Sequence, residues 1–255
     1  LKVFPWPPGL LLAVTDTTEE ALLLQRLTQE RNEVALLQRH LQEANQRLNI
    51  LLHRFASPSV AQQLLAQHGL PRPGGERRTV TALFVDMRGF TGTAEQMAPE
   101  AVMDLLNRHF DLFSRTVIRY EGTISHYAGD MMMVLFNAPQ DQPDHALRAV
   151  QAGLEIHRSV RECSLAEGCS YGLGINTGPA MAGYLGFEER FIYTVVGDAV
   201  NVAARLSSTA MPGQILIGPQ TYQMVRDHIR VNPIGPLRLK GKRTPVLAYE
   251  VVGMN

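Results

Sequence analysis

The segment VTALFVDMRGFT at residues 80–91 is a mostly apolar run that ends in a carboxylate and then turns at a glycine. The run Val80–Asp86 predicts a buried strand, because apolar and β-branched residues fill it up to the aspartate. Gly89 predicts a turn, and we expect a helix to begin at Thr91. In this geometry Asp86 can bind a metal ion while backbone N–H groups of the turn face an anion. The alternative is that Asp86 only caps the helix.

A hairpin is predicted in the segment GTISHYAGDMMMVLF at residues 122–136. Gly122–Ala128 and Met131–Phe136 have the pattern of strands, and Asp130 lies in the tight turn between them. Taken alone, Asp130 is an ordinary turn aspartate with a solvated carboxylate. In a ferredoxin-like fold, however, this turn lies beside the end of the first strand, which would bring Asp86 close to Asp130. Paired carboxylates suit Mg²⁺ or Mn²⁺, since these ions take further oxygens from water and substrate phosphates.

Strand and helix patterns alternate over the remainder of this region. The alternation predicts an α/β (α+β) sandwich with a ferredoxin-like βαββαβ core. Helices are predicted at 99–120, 144–164 and 198–208, and further strands at 171–176, 180–183, 191–196, 215–217 and 246–252.

Two further segments carry polar residues suited to phosphate. RFIYTVVGDAVNVAARL at residues 190–206 places Asn201 and Arg205 four residues apart, so both project from one face of a helix. The simpler interpretation is a solvent-facing arginine with an asparagine near the helix start. LRLKGKRTPV at residues 237–246 places Lys240 and Lys242 on either side of Gly241 in a basic turn, which is common on protein surfaces.

The N-terminal part has a different pattern. Apolar residues alternate by four and three from Leu23 to Phe55, which predicts a coiled coil; the alternative is an amphipathic helix packed on its own domain. Glu30 and Ala44 weaken the seam, which would suit a helix pair that shifts register to pass a signal.

A short strand and a helix cap are predicted before this seam. Leu10–Val14 is β-compatible, and Asp16-Thr17-Thr18-Glu19 supplies an N-cap and an acidic first turn. The pair resembles the last strand and exit helix of a PAS-type sensor domain. Beyond the seam, Ser57-Pro58 ends the long helix, a short helix follows at 59–67, and GLPRPGGERR forms a linker.

These patterns predict four regions. They are the end of an upstream sensor domain at 1–18, a coiled-coil signalling helix at 19–56, a short helix and linker at 57–76, and a catalytic domain at 77–255.

Charge and cysteine content exclude several classes of protein. The 24 Lys and Arg residues balance 24 Asp and Glu residues, so no global positive field exists to bind nucleic acid or an anionic membrane. Cys163 and Cys169 form no C-x-x-C motif, which argues against a disulfide framework or zinc site and fits a reducing cytoplasm. No apolar run approaches the roughly 18 to 20 residues that span a bilayer. Because the chain begins with Leu1 rather than Met, we expect a piece of a longer protein, and membrane attachment upstream stays open.

The strings FVDMRGFT, AGDMMMVLF, YTVVGDAVNVAARL and LKGK, in this order and spacing, resemble the class III adenylyl and guanylyl cyclase family. The resemblance covers residues 78 to 252. It implies the cyclase fold and the conversion of a nucleoside triphosphate to a cyclic mononucleotide. Because catalytic domains of that family pair head to tail, it also implies a homodimer with two active sites shared across the interface.

The resemblance also implies a role for each matching residue. Asp86 and Asp130 of one chain would hold two Mg²⁺ or Mn²⁺ ions, with the Met87 carbonyl as a further candidate ligand. The partner chain would supply His126 and Thr194 to read the purine, Asn201 to orient the ribose and Arg205 to stabilise the transferring phosphoryl group. Phosphate contacts are expected from Arg88, Gly89, Phe90, Thr91, Arg190 and Lys240.

One position departs from the family pattern, because His126 stands where adenylyl cyclases usually carry Lys and guanylyl cyclases Glu. A donor at position 126 and a hydroxyl acceptor at Thr194 would suit adenine, whereas guanine presents the reverse pattern. Neutral histidine donates or accepts according to its tautomer, so ATP is favoured and GTP is the alternative. A degenerate module that only binds nucleotide is a further alternative. A diguanylate cyclase is not expected, since its GG-[DE]-EF turn is absent.

Overall fold

The computed structural model describes residues 2–6, 9–13, 18–67, 69, 71–162, 170–187 and 189–255. The chain divides into two compact units, Leu1–Phe55 and Ala56–Asn255. No helix among the described residues is both long enough and apolar enough to cross a membrane.

The first unit contains a hairpin and one long helix. Strands β1 (Lys2–Trp6) and β2 (Gly9–Ala13) pair antiparallel. Strand β2 begins and ends one residue before the strand predicted at Leu10–Val14. Helix α1 (Thr18–Phe55) runs for 38 residues and has no buried residue. The leucines of the predicted seam are therefore exposed within the single chain, Leu41 by 63%, and the coiled coil stays a prediction. The proposed cap residues Asp16 and Thr17 lie outside the described residues, as do both cysteines.

The second unit is built on one eight-stranded sheet of order β4-β5-β3-β6-β8-β10-β9, with β7 paired to β6. Its elements are α2 (Pro58–Ala66), β3 (Gly74–Arg88), α3 (Phe90–Ala94), α4 (Pro99–Arg119), β4 (Thr123–Ala128), β5 (Met131–Phe136), α5 (His145–Glu162), β6 (Ser170–Phe187), β7 (Arg190–Val196), α6 (Asp198–Thr209), β8 (Ile215–Ile217), α7 (Pro219–Val225), β9 (Ile229–Leu237) and β10 (Val246–Met254).

The ferredoxin-like core predicted from the sequence is confirmed. In chain order β3, α4, β4, β5, α5 and β6 form the βαββαβ unit, and its strands lie in the order β4-β5-β3-β6. This order places β3 between the hairpin β4-β5 and strand β6, with every neighbouring pair antiparallel. As a result, the C-terminal end of β3 lies beside the hairpin turn.

Both faces of the sheet are covered, because successive residues of β3 point to opposite sides. Leu83 and Val85 pack into a core with helices α4, α5 and α7. Ala82 and Phe84 pack into a second core with α6 and residues of β7. The sheet is therefore sandwiched, and the near-continuous apolar run at residues 82–85 reflects burial on both sides.

Strand β6 is longer than the sequence predicted. Residues 171–176 and 180–183 were expected to form two strands, but β6 is continuous from Ser170 to Phe187 and runs through Gly178-Pro179. Strand β6 pairs continuously with the whole of β3, from Ser170 opposite Arg88 to Tyr184 opposite Gly74. Long-range pairing on this scale overrides the local turn signal.

The same pairing corrects the predicted linker boundary at residue 76. Gly74 and Gly75 already belong to β3, and a Cβ on Gly75 would overlap the carbonyl of Ala182. The two backbones approach so closely here that glycine is needed for packing as well as for flexibility.

Two elements of the second unit were not predicted. Helix α7 follows β8 directly, beginning at Pro219, and strand β9 contains Pro233, Gly235 and Pro236. Such residues normally argue against a strand, but β9 is the last strand of the sheet, where missing hydrogen-bond donors are tolerated.

Candidate active site

Two carboxylates converge where β3 ends. Asp86 lies opposite Met131 in the pairing of β3 with β5, and Asp130 immediately precedes Met131 in the β4-β5 turn. The two side chains therefore come from adjacent positions on neighbouring strands. Their proximity, which the sequence could only suggest, follows from the position of β3 next to the hairpin.

The electrostatics of the pair favour a cation. Partial burial raises the pKa of the Asp130 carboxyl above its ordinary value, and the negative charge of Asp86 raises the pKa further. A hydrogen bond from the backbone and the positive charge of Arg88 oppose this shift. Two carboxylates that repel each other in a partly buried position are stabilised by a bound positive ion.

The donor set matches Mg²⁺ or Mn²⁺ better than zinc. Among the described residues, no group of three or more His, Cys, Asp or Glu side chains is placed to hold a metal ion. A pair of carboxylates leaves coordination positions open, which suits ions that keep waters and take oxygens from phosphates. Asp86 and Asp130 thus fit the metal assignment made from the resemblance, with the Met87 carbonyl next to them in the chain.

The side chain of Arg88 fixes one of the two carboxylates. Its Nη1 donates to Asp86 Oδ2 at 2.6 Å, its Nε donates to the Ala210 carbonyl at 3.0 Å, and its Nη2 donates to the Ser207 carbonyl. These carbonyls belong to the C-terminal end of α6, where unpaired acceptors and the helix dipole attract a cation. Gly172 leaves room for the guanidinium, because a Cβ there would overlap it. The side chain of Arg88 therefore positions Asp86, a role the sequence did not suggest.

The turn after Arg88 has the backbone conformation expected for a glycine. Gly89 has φ +75°, in the left-handed region that favours glycine, and its carbonyl accepts a hydrogen bond from the N–H of Thr93. Helix α3 begins at Phe90, one residue before the predicted start at Thr91, and spans only five residues. Phosphate binding by this turn stays a prediction.

The two residues assigned to the purine belong to one cluster. Thr194 on β7 is 7% exposed, and its hydroxyl lies 3.1 Å from the Ser125 Oγ on β4. The same Oγ lies 3.2 Å from the Nδ1 of the exposed His126. Ser125 thus connects His126 to Thr194. No sequence signal indicated Ser125, because a regular strand would direct neighbouring side chains to opposite faces.

Asn201 and Arg205 lie on the exposed face of α6, as the four-residue spacing predicted. The opposite face carries Val202 and Leu206, which are buried. Within the part of the chain that the structure describes, neither the Asn201 nor the Arg205 side chain makes a hydrogen bond or ion pair, and neither contacts Asp86 or Asp130 in this way. Both side chains can therefore bind a ligand without breaking a hydrogen bond or ion pair that the structure describes.

The two lysines of the basic turn have different surroundings. Lys242 Nζ lies 2.8 and 2.7 Å from the carboxylate oxygens of Asp198, in the first turn of α6. Lys240 is exposed, and no ion pair is formed by it among the described residues. Gly241 between them has φ +82°, which permits the tight turn. The structure therefore ties down Lys242 and leaves Lys240 for an anion.

Arg190 is not brought to the purine cluster. It is the exposed first residue of β7 and pairs with Phe187 at the far end of the β6-β7 hairpin. Thr194 is four residues further along the same strand, which separates the two by about 13 Å. A phosphate contact by Arg190 stays a prediction.

Comparison with known proteins covers the second unit. The family model for the adenylate and guanylate cyclase catalytic domain matches residues 75–253. Adenylate cyclase 1 of Rhizobium meliloti (strain 1021) is 35% identical over 187 residues, which is 70% of this chain and 28% of that protein. The chain spans between 28% and 39% of the length of the first curated relatives it matches.

Solved structures of both substrate types are similar to this chain. The crystal structure of the adenylyl cyclase CyaB from P. aeruginosa is 35% identical with a TM-score of 0.67, covering 71% of this chain and 96% of that one. A guanylyl cyclase crystal structure is 38% identical with a TM-score of 0.69, covering 71% and 95%. Similarity alone therefore does not separate ATP from GTP.

Proposed function

Because the chain belongs to the adenylate and guanylate cyclase catalytic domain family, we propose that it converts ATP to 3′,5′-cyclic AMP and pyrophosphate. The observation that carries this proposal is the convergence of Asp86 and Asp130 at the end of β3. Burial, and after it the charge of Asp86, raises the pKa of the Asp130 carboxyl, and two carboxylates held together in this way suit divalent cations and a triphosphate.

In the proposed reaction the ribose 3′-hydroxyl loses its proton to solvent water and its oxygen attacks the α-phosphorus in line, so that the new O3′–P bond forms and the bond to pyrophosphate breaks. Asp86 and Asp130 would hold two Mg²⁺ or Mn²⁺ ions, with Arg88 keeping Asp86 in position. Such ions, when bound, lower the pKa of the attacking hydroxyl and offset the charge of the phosphates. No side-chain nucleophile is needed.

The remaining groups act by positioning and charge. Asn201 would orient the ribose, and Arg205 would neutralise charge on the oxygens of the transferring phosphoryl group. Lys240, which is exposed, would bind the terminal phosphate. Loss of one such electrostatic contact typically costs about 2.7 to 4 kcal/mol of barrier, or roughly 10²- to 10³-fold in rate.

We assign ATP as the preferred substrate from His126 and Thr194. A donor from the imidazole and an acceptor at the hydroxyl suit the edge of adenine, and no carboxylate stands at position 126 to accept from guanine. Guanylyl cyclase activity is the second candidate, supported by the 38% identical guanylyl cyclase structure. A degenerate nucleotide-binding module is less well supported, because the four residues Asp86, Asp130, Asn201 and Arg205 are all present.

We further propose that the active unit is a homodimer with two shared sites. Among the described residues, neither Asn201 nor Arg205 makes a hydrogen bond or ion pair to the carboxylate pair, which supports a second chain as the source of these two residues in each site. The exposed apolar residues Leu185, Phe187 and Ile192 on the β6-β7 hairpin are suited to an interface.

The exposed leucine seam of α1 supports self-pairing upstream of the catalytic unit. We propose residues 19–56 as a signalling coiled coil that transmits the state of a PAS-like sensor ending near residue 18. In this organisation residues 57–73 connect the coiled coil to the catalytic domain, which begins with β3 at Gly74.

The test is turnover by the purified protein with ATP and with GTP, each in Mg²⁺ and in Mn²⁺. We expect cyclic AMP to be the main product. A His126→Lys variant should raise the ratio of ATP to GTP turnover, because a lysine only donates. His40→Lys, on the exposed surface of α1, is the matched control. Absence of cyclic product from either nucleotide, in a folded protein with bound metal, would contradict the proposal.

A further inference from the structure

The residues proposed to read the purine are joined by a third side chain. Ser125 Oγ lies 3.2 Å from His126 Nδ1 and 3.1 Å from Thr194 Oγ1, so one serine hydroxyl contacts both. This contact links β4 to β7. Among the residues that the structure describes, none bonds to Nε2 of His126 or to the second hydrogen-bonding position of the Thr194 hydroxyl, so both remain for a ligand.

A β-bulge makes this contact possible. Ile124 pairs with Val134 and His126 pairs with Met133, so Ser125 is an extra residue without a partner on β5. In a regular strand, Ser125 and His126 would point to opposite faces of the sheet. A bulge redirects a side chain in this way and is a common feature beside active sites.

A hydroxyl has one hydrogen, which restricts how the three groups can be arranged. If His126 carries its proton on Nδ1, the imidazole donates to Ser125, Ser125 donates to Thr194, and the Thr194 hydrogen is free. The outward groups are then an acceptor at Nε2 and a donor at Thr194. If both hydrogen bonds reverse, Nε2 becomes a donor and the Thr194 oxygen becomes an acceptor.

These two arrangements match the two purines. Adenine offers an acceptor at N1 and a donor at its amino group, so it fits the arrangement with a donor at Nε2 and an acceptor at Thr194. Guanine offers a donor at N1 and an acceptor at O6, so it fits the first arrangement, with an acceptor at Nε2 and a donor at Thr194. A change of purine therefore requires that the imidazole loses its proton at Nδ1 to water and gains one from water at Nε2, and that the two hydroxyls rotate, with no movement of the backbone.

We propose that His126, Ser125 and Thr194 form a reversible hydrogen-bond relay that lets one site accept either ATP or GTP. Ser125 is the positioning residue, because its single hydrogen can be donated to only one of His126 and Thr194, which couples the groups that these two side chains present. This inference rests on the proposed function, since it assigns the purine site of that same reaction. It predicts GTP as a second substrate of the wild-type protein.

The relay can be tested without turnover. In the nucleotide-free protein, Thr194→Val leaves Ser125 free to donate to Nδ1 of His126, which shifts the imidazole to the tautomer protonated at Nε2. Long-range ¹H–¹⁵N NMR of ¹⁵N-histidine protein measures this tautomer, with His126→Gln to assign the signals. In a Ser125→Ala background the same Thr194→Val change should leave the His126 tautomer unaltered, because the connection is lost.

Nucleotide analogues test the reversal itself. With Mg²⁺ and α,β-methylene-ATP we expect the His126 proton on Nε2, and with α,β-methylene-GTP on Nδ1. The same tautomer with both analogues would overturn the relay. So would a Thr194→Val effect that persists after Ser125 is replaced.

Kinetics provide a separate measurement. Ser125→Ala should raise KM about fivefold for both purines and leave kcat unchanged, because the lost coupling of about 1 kcal/mol affects binding only. Ser125→Thr keeps the hydroxyl and should restore both KM values; Ser125→Cys serves if the alanine variant does not fold. Ser114→Ala is the control, since Ser114 also bonds a β4 side chain, the Tyr127 hydroxyl at 2.8 Å, without touching the purine readers.

The two proposals fail in distinguishable ways. Wild-type protein that forms no cyclic product overturns the proposed function, whereas the nucleotide-free tautomer experiment still decides the relay. Wild-type protein that forms cyclic product while KM is unchanged in Ser125→Ala overturns the relay alone.

Discussion

At the scale of single residues, the site depends on charges placed where they are only partly solvated. Asp86 is neutralised by Arg88, which in turn is held by carbonyls at the end of α6. Asp130 has no such ion pair among the described residues, and its carboxyl pKa is raised mainly by burial and then by Asp86. In the metal-free protein the carboxylates of Asp86 and Asp130 repel each other, and a bound divalent cation would remove this repulsion.

The Asp130→Asn variant tests this arrangement. We expect turnover to fall by about 10³-fold or more, because one of the two carboxylate ligands is lost. The unfolding midpoint should stay the same or rise slightly, since asparagine removes the repulsion with Asp86. Turnover assays and thermal unfolding measure the two effects, with the exposed Asp104→Asn, whose carboxylate forms no ion pair among the described residues, as the control. A folded Asp130→Asn protein with normal activity would rule out the metal assignment.

At the scale of elements, strand β6 sets where α6 lies. Gly172 and Gly174 are two residues apart on one face of β6; the first leaves space for Arg88 and the second for the backbone of α6. Because α6 carries Asn201 and Arg205, close packing of α6 on β6 decides where these side chains are presented. A buried contact between Ser207 Oγ and the Gly172 carbonyl, at 3.1 Å, adds to this packing.

We expect Gly174→Ala to destabilise the protein by about 1–3 kcal/mol, the usual cost of overpacking a core. A Cβ at this position would overlap the Ser207 nitrogen and the Ala203 carbonyl oxygen, so the helix must shift. Urea denaturation measures the free energy of unfolding. Gly92→Ala is the control, because a Cβ at Gly92 meets no neighbouring atom. Equal stability of the two variants would mean that α6 does not need this close approach.

Helix α5 carries a histidine that makes stability depend on pH. Burial lowers the pKa of His157 from 6.5 to about 4, helped by the positive charge of Arg161 and opposed by a hydrogen bond to the backbone of Tyr171. Between pH 6.5 and 4 the unfolded chain binds a proton at this site that the folded chain does not. The stability that neutral His157 contributes is therefore fully present above pH 6.5, and it is lost as the pH is lowered from 6.5 towards 4.

The expected contribution of His157 is a loss of about 2 kcal/mol between pH 7 and pH 5. Between pH 7 and pH 5, the free energy of unfolding of a His157→Gln variant should fall by about 2 kcal/mol less than that of the wild-type protein. Urea denaturation at the two pH values measures it, with the exposed His40→Gln as a control. An identical pH dependence in wild-type and His157→Gln protein would contradict the burial argument.

At the scale of the whole molecule, one chain does not assemble the complete proposed site. The carboxylate pair lies at the end of β3, and Asn201 and Arg205 on α6 make no bond to it among the described residues. A shared site in a homodimer accounts for this separation. It also makes a prediction about mixed dimers that no single-chain mechanism makes.

Asp130→Asn and Arg205→Ala should each be inactive alone and active when mixed. A mixed dimer has one site with both defects and one site with neither, so about a quarter of wild-type activity should return at equal amounts. Activity after co-refolding of the two variants measures this. Asp130→Asn mixed with Asp86→Asn is the control, because both defects lie in the same half of the site. No recovery in the first mixture would exclude a shared site.

The sequence predicted the core fold because the signals there are local and strong. The apolar run before Asp86, the hairpin around Asp130 and the helical patterns that follow each indicate their element from nearest neighbours, and the βαββαβ order then permits few topologies. The predicted ends of the helices agree with the ends in the structure to within about two residues. The assignment of Asp86 and Asp130 as a pair also came from this order.

What the tertiary structure alone decided depends on partners far apart in the chain. The continuity of β6 through Gly178-Pro179 follows from its pairing with β3, and the role of the Arg88 side chain follows from the position of the end of α6. Ser125 became recognisable only when β7 was placed beside β4, because a bulge breaks the alternation on which sequence reasoning depends. Local patterns fix which elements form, whereas contacts between distant segments determine which side chains act together.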